Sequence, residues 1–161
     1  MKIILEKTLD EYSKQYKYDE IQYETLKYFE DEGVNIDLVA DPSFNEREML
    51  AILDGVKKGY NMQPLANHQW GWQQIEEIVN AWNRKVDILK YIDSTWDSYQ
   101  IHEIVLGLLH GIDLTKYVDN TMNYRRIQQV RKALEQDRDV NLVLKHGEES
   151  YKKLYDRRLK H

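Results

Sequence analysis

The chain has 161 residues, 42% apolar and 32% charged, with a formal charge of −5 and no cysteine. That length and balance fit one globular domain with a sizeable core and exclude a disordered chain. The absence of cysteine excludes a disulfide framework, a thiolate zinc site and a cysteine nucleophile.

No apolar run is long enough to span a bilayer, and Met1 to Leu5 is too short for a signal-peptide core before Glu6 ends it. These features suit a cytoplasmic protein with no membrane association. Charge is uneven along the chain. Residues 1–43 carry 11 acids and 5 bases, residues 44–121 carry 11 and 7, and residues 122–161 carry 6 and 11. The start is acidic and the end basic.

Residues 1–17 are expected to cap the domain. Residues 2–5 allow a short extended piece. Thr8-Leu9-Asp10-Glu11 has the spacing of a capping box and predicts a helix to about Lys17.

From Tyr18 to Gly147 a 26-residue unit recurs five times without insertion, starting at Tyr18, Phe44, Trp70, Trp96 and Met122. The second position is Asp19, Asn45, Gly71, Asp97 and Asn123, all suited to a helix N-cap. The fifth is Gln22, Glu48, Gln74 and Gln100, then Arg126. Gln or Glu three residues after the cap predicts a capping box, incomplete at Gly71, which has no capping side chain. The sixth position, Tyr23, Met49, Ile75, Ile101 and Ile127, pairs with the first as a hydrophobic staple.

Leu26, Ile52, Ile78, Ile104 and Val130 follow at the ninth position, and Val56, Trp82, Leu108 and Leu134 at the thirteenth, where Glu30 is the exception. This spacing places an apolar stripe on one helix face. Gly55, Ala81, Gly107 and Ala133 at the twelfth position predict close approach of neighbouring helices. Gly33, Gly59 and Gly111 stop the long helix in a left-handed residue. Lys85 and Asp137 replace that glycine, so strained or differently shaped turns are expected there. Asn35, Asn61, Asp87, Asp113 and Asp139 then cap a second helix of one to two turns, with Val39, Leu65, Tyr91, Tyr117 and Val143 at its fourth position. Pro64 lies in the first turn of one short helix and Pro42 in a connecting loop.

Residues 148–161 resume the long-helix pattern weakly and are expected to form a C-terminal cap helix. The fold class read from this pattern is all-α, an α-solenoid of five long-helix/short-helix repeats with helical end caps, forming one domain over 1–161. A compact bundle that arose by duplication is the alternative.

The stretch Ile104-Val-Leu-Gly-Leu-Leu-His-Gly-Ile-Asp-Leu-Thr-Lys-Tyr-Val-Asp119 resembles a repeat of bacterial proteins, many on phage-like or conjugative elements. That repeat reads approximately F-D-x-x-Q-M-x-E-I-x-x-G-L-x-x-G-x-D-V-x-x-Y-A. Trp96, Asp97, Gln100, Ile101, Glu103, Ile104, Gly107, Leu108, Gly111, Asp113, Leu114 and Tyr117 carry the resemblance, which is clearest in the second to fourth units. It implies an architecture and a mobile-element setting. It supplies no catalytic residues.

Nor does the sequence itself supply chemistry. His68, His102, His110, His146 and His161 make no metal-ligand spacing, and no phosphate loop or nucleophile elbow is present. Glu76-Glu77 and Glu148-Glu149 are adjacent pairs, which do not face each other on a helix. No catalytic residue, metal or cofactor is expected, and the protein reads as a non-enzyme.

What exceeds the template is more informative. Trp72 and Tyr124 stand at the third position, which should be exposed; Trp72 either covers a neighbouring unit or anchors a partner. Arg125, Arg126, Arg131, Lys132 and Arg138 make the fifth unit basic, as a soluble end or as a docking patch for an acidic protein or a nucleic-acid backbone. The function expected is non-catalytic binding of a protein, with inhibition of a host defence or regulatory protein as the version that the resemblance suggests. The alternatives are nucleic-acid binding through the basic repeats, DNA mimicry by the acidic ones, and head-to-tail self-assembly.

Overall fold

The structure, a computed structural model, describes residues 7–141 and residue 144. The extended piece expected at residues 2–5 and the C-terminal cap helix expected at 148–161 lie outside them. Among the described residues the regular elements are all helical: α1 (Leu9–Gln15), α2 (Glu20–Asp31), α3 (Glu46–Lys57), α4 (Trp72–Asn83), α5 (Ser98–Leu109) and α6 (Tyr124–Glu135). Helices α2 to α6 have 12 residues each, and their starts advance by the 26-residue period read from the sequence. Single-turn 3₁₀ helices at Asp37–Val39, Gln63–Leu65, Ile88–Lys90 and Leu114–Lys116 follow α2 to α5, at the lower end of the one to two turns expected.

The chain forms two compact units, Met1–Val79 and Asn80–His161, here the N-terminal and C-terminal lobes. In the N-terminal lobe α1 and α3 pack on α2. Leu26, Met49, Ile52, Leu53 and Ile75 are fully buried in its core. In the C-terminal lobe α5 packs on α6, with Ile88, Ile101, Ile104, Ile127 and Val130 buried. Each such side chain contributes roughly 1.5–3 kcal/mol by leaving water.

The helix starts follow the sequence pattern. Reciprocal capping boxes are complete in α2, α3 and α5. At α4 the half box survives, as the Gly71 N–H donates to Gln74 Oε1 at 2.7 Å. Asn123 caps α6 by accepting the Arg125 N–H. The sixth positions are buried from the second repeat onward, whereas Tyr23 in the first stays 39% exposed and Met122, the first position of the fifth repeat, is half-buried. Glu30, the polar exception on the stripe, accepts the Leu9 N–H at 2.6 Å and so satisfies a free amide at the start of α1.

All five long helices end in the same Schellman turn. In α5 the Ile112 N–H donates to Gly107 O and the Gly111 N–H to Leu108 O; in α4 the Val86 N–H donates to Ala81 O and the Lys85 N–H to Trp82 O. Lys85 (φ +65°) and Asp137 (φ +53°) adopt the left-handed conformation taken elsewhere by Gly33, Gly59 and Gly111. Of the two outcomes expected, strain or a different shape, the turns take the first: the shape is retained, and a non-glycine residue is held in the left-handed region. Lys85→Gly is expected to raise stability by about 1 kcal/mol, read as a higher midpoint in urea. An unchanged midpoint would show that no strain is stored at Lys85.

The small residues also serve a different neighbour from the one expected. A Cβ on Gly55 would lie 2.2 Å from Met62 Sδ, and one on Gly107 would lie 2.9 Å from Leu114 Cγ and 3.1 Å from Ile112 O. In these two repeats the close approach is between the long helix and the segment that follows it in the same repeat. Gly107→Ala is expected to cost about 1–3 kcal/mol by overpacking, outweighing the roughly 1 kcal/mol that alanine gains in helix propensity. Thermal denaturation checks the sign.

The loops between repeats are Asx turns. Asp41, Asn67, Asp93 and Asp119 each accept the backbone N–H two residues on. Hydrogen bonds from the hydroxyl and backbone N–H of Thr95 hold the Asp93 carboxyl below the usual carboxylate range, and Thr121 does the same for Asp119. A lowered folded-state pKa contributes stability above the unfolded value, and that stability is lost as pH falls through the folded one. Asp93→Asn keeps the acceptor, as Asn67 shows, but cannot titrate. Its melting temperature is expected to fall less than that of the parent below about pH 4.

Candidate functional site

The fifth position of the repeat links one repeat to the next. Besides closing their capping boxes, the Gln22 Nε2 amide donates to Pro42 O and Phe44 O, both at 2.9 Å, and that of Gln100 donates to Asn120 O at 3.0 Å and Met122 O at 2.7 Å. Both side chains are buried, Gln22 at 8% and Gln100 at 5% exposure. A glutamate would close the box equally well but has no N–H to donate. The recurrence of Gln rather than Glu is the sequence signal for this clamp, and the capping role of the same side chain masks it.

Arg126 occupies the same position in the fifth repeat and donates to Leu144 O. It is half-buried, and this bond ties it to the fold. The expected place of Arg131 in an open cationic patch is corrected, because it is 8% exposed. Its Nε donates to Glu103 Oε2 at 2.8 Å and its Nη1 to both oxygens of Glu135, while Gln128 Nε2 donates to Glu103 Oε1. Burial opposes the charge on Arg131, and these carboxylates more than offset it, so its pKa is raised. Arg125, Lys132 and Arg138 remain at the surface.

The aromatic candidates stack within their own lobes. Trp72 is half-buried, with the Arg47 guanidinium 4.8 Å above its ring. Tyr124 is half-buried and stacks on Tyr99 at 5.0 Å, leaving Tyr99 65% exposed. In both pairs the fourth position of one repeat meets the third of the next, so covering a neighbouring repeat accounts for Trp72.

One cluster has the contact order of a hydrolytic triad. Ser43 Oγ lies 2.9 Å from His68 Nε2, and Glu48 Oε2 lies 3.5 Å from His68 Nδ1. The neighbouring amides that would have to stabilise an oxyanion are engaged. The Ser43 N–H donates to Asp41 Oδ1, the Phe44 N–H to Asp41 O, and the Asn45 N–H to Glu48 Oε1. The corresponding positions one pair of repeats later are Thr95 and Asn120, also joined by a side-chain hydrogen bond. With His68 stacked on Phe44 at 4.1 Å, the cluster is a latch between repeats.

The surface feature unexplained by folding is a groove of about 360 Å³ in the N-terminal lobe, lined by Tyr28, Phe29, Leu50, Ala51, Asp54, Lys57 and Glu76. Its floor is the buried pair Phe29 and Ala51. Tyr28 and Leu50 are 54% and 42% exposed. Lys57 Nζ lies 5.8 Å from the centroid of the Tyr28 ring and 3.8 Å from Glu32, and Lys58 Nζ lies 2.8 Å from Asp54. Leu50 stands at the seventh position of its repeat, where the other units carry Glu24, Glu76, His102 and Gln128. That break in the pattern is legible in the sequence.

Among the described residues no group of three His, Cys, Asp or Glu side chains is placed to hold a metal ion. No helix among them is long and apolar enough to cross a membrane. Comparison with protein-family models, curated proteins and solved structures finds no match to this chain.

Proposed function

We propose that this chain is a non-catalytic repeat protein that binds another protein, its five repeats stacked as an α-solenoid. The observation that carries this reading is the Tyr28–Leu50 groove: two large apolar side chains flank one depression and stay in water, although the fold buries their neighbours Phe29 and Ala51. Exposed apolar patches of this kind, rimmed by polar groups, characterise interaction surfaces. The polar clusters found elsewhere are used in caps, clamps and latches. The resemblance of the repeat supports a mobile-element setting, in which the bound protein is a host defence or regulatory factor and binding inhibits it.

Affinity capture from a bacterial lysate by the full chain, quantified against Leu50→Asp and against the pair Arg125→Glu/Lys132→Glu, tests the reading. A protein captured by the parent and lost with one of these changes supports it. Equal capture by all forms, or none by any, removes it. Small-angle scattering from the free chain tests the stacking: an elongated particle is expected, and a spherical one favours a bundle.

A second reading rests on the C-terminal lobe, where the exposed Arg125 lies 5.8 Å from the Tyr124 ring of the Tyr99–Tyr124 stack and Lys132 and Arg138, further along the chain, are exposed as well. Cations next to aromatic faces suit a single-stranded nucleic acid. Retardation of an oligonucleotide in low salt, reduced by Lys132→Glu, would favour it.

A further inference from the structure

We infer that the groove between α2 and α3 receives a basic segment of a partner protein, which inserts an apolar side chain between Tyr28 and Leu50 and sets an Arg or Lys against Glu76. This rests on the protein-binding reading above and adds the chemistry of the partner.

The apolar half of the argument is geometric. Tyr28 comes from α2 and Leu50 from α3, and both line a groove floored by Phe29 and Ala51. An inserted side chain removes both exposed walls from water together with its own surface. The groove is an open depression, and no buried polar group is turned into it to orient a small molecule. It accepts a projecting side chain, as in helix-in-groove recognition.

The polar half is electrostatic. Each lysine near the groove is answered within the chain, Lys57 by Glu32 and Lys58 by Asp54. Glu76 lines the groove, is exposed, and has no ion-pair partner among the described residues. Four residues either side of it on α4 stand Trp72 and Asn80, neither of them cationic. Residues 1–79 contain 16 acids and 8 bases, so the lobe as a whole attracts a basic partner and repels an acidic protein or a nucleic-acid backbone.

The test is selection from a random dodecamer peptide display library on the immobilised full chain. An enriched peptide is then synthesised with a fluorescent label and titrated by anisotropy. Enriched peptides are expected to pair an apolar or aromatic residue with Arg or Lys. Leu50→Asp should weaken the labelled peptide at least about tenfold, equivalent to about 1.4 kcal/mol. Glu76→Lys should weaken it severalfold and enrich acidic peptides when used as the bait. Leu50 and Glu76 are exposed, so both variants should retain the parent's circular dichroism and melting temperature.

Peptides that are acidic or uncharged, or that bind Leu50→Asp as tightly as the parent, overturn the assignment while leaving protein binding in place. Failure to enrich any peptide also counts against the groove; the protein-binding reading then stands or falls on the lysate capture. Self-association of the parent that Leu50→Asp abolishes assigns the groove to a second copy of the chain and likewise overturns it.

Discussion

Replacing Arg131 with leucine is expected to destabilise the protein by about 3–5 kcal/mol, enough to unfold much of it at moderate temperature. The reason is the partner left behind. Glu103 is 3% exposed and receives its charge-assisted hydrogen bond from Arg131 Nε at 2.8 Å. Without the guanidinium, a carboxylate on α5 remains buried with only the Gln128 amide beside it. Glu103→Leu together with Arg131→Leu removes both charges from the same site. That pair is expected to restore most of the lost stability, because an apolar pair avoids the desolvation cost that the ion pair had to offset. Urea denaturation of the parent, both single variants and the double variant gives the coupling free energy directly. A coupling below about 1 kcal/mol would falsify the claim that the bridge is desolvated, since exposed pairs fall in that range.

This bridge also shows why part of the molecule could not be read in advance. The period, the caps, the staples and the stops are local: each involves residues within a few positions of one another, and the backbone geometry of a helix end dictates their chemistry. They were legible from one repeat and confirmed by recurrence. Arg131 looked like a surface cation because its own helix offers no acid apart from Glu135, one turn on. Its main partner is 28 residues away in the preceding repeat. In the sequence Gln100 shows only its capping role, because its two further acceptors are backbone carbonyls, 20 and 22 residues on, which no sequence pattern displays. Lys85 was readable as an anomaly, but its outcome was not, since whether a turn changes shape or a side chain accepts strain depends on how firmly the flanking bonds hold it. The groove was hidden differently. Leu50 is apolar at a polar position, a signal present in the repeat alignment, but only the packing of α2 against α3 sets it opposite Tyr28.

Gln100→Glu is expected to cost about 2–4 kcal/mol, although it alters one atom and leaves the capping acceptor intact. The Asp97 N–H still finds an oxygen at the distance of 2.9 Å that it has in the parent. The Nε2 group, however, donates to Asn120 O and Met122 O, and a carboxylate oxygen in its place faces two carbonyl oxygens with no proton between them. The variant therefore loses two buried hydrogen bonds and gains repulsion. The pH dependence separates this account from a general packing defect. A carboxyl held against two acceptors is harder to ionise in the folded state, so its folded pKa is raised above the unfolded value of about 4.3. The folded state then binds more protons, and stability of the variant rises as pH falls through the raised value. The parent has no such group at this position. A melting temperature that recovers toward the parent on acidification is the expected result; a deficit that stays constant with pH sinks the clamp. The reciprocal change sharpens the test. Glu48 holds the same place in the second repeat and is directed toward His68 at 3.5 Å. Glu48→Gln supplies the missing donor and is expected to stabilise by up to about 1 kcal/mol, the value of one further hydrogen bond. Opposite signs for these two one-atom exchanges would locate the connection between successive repeats in the side-chain amide.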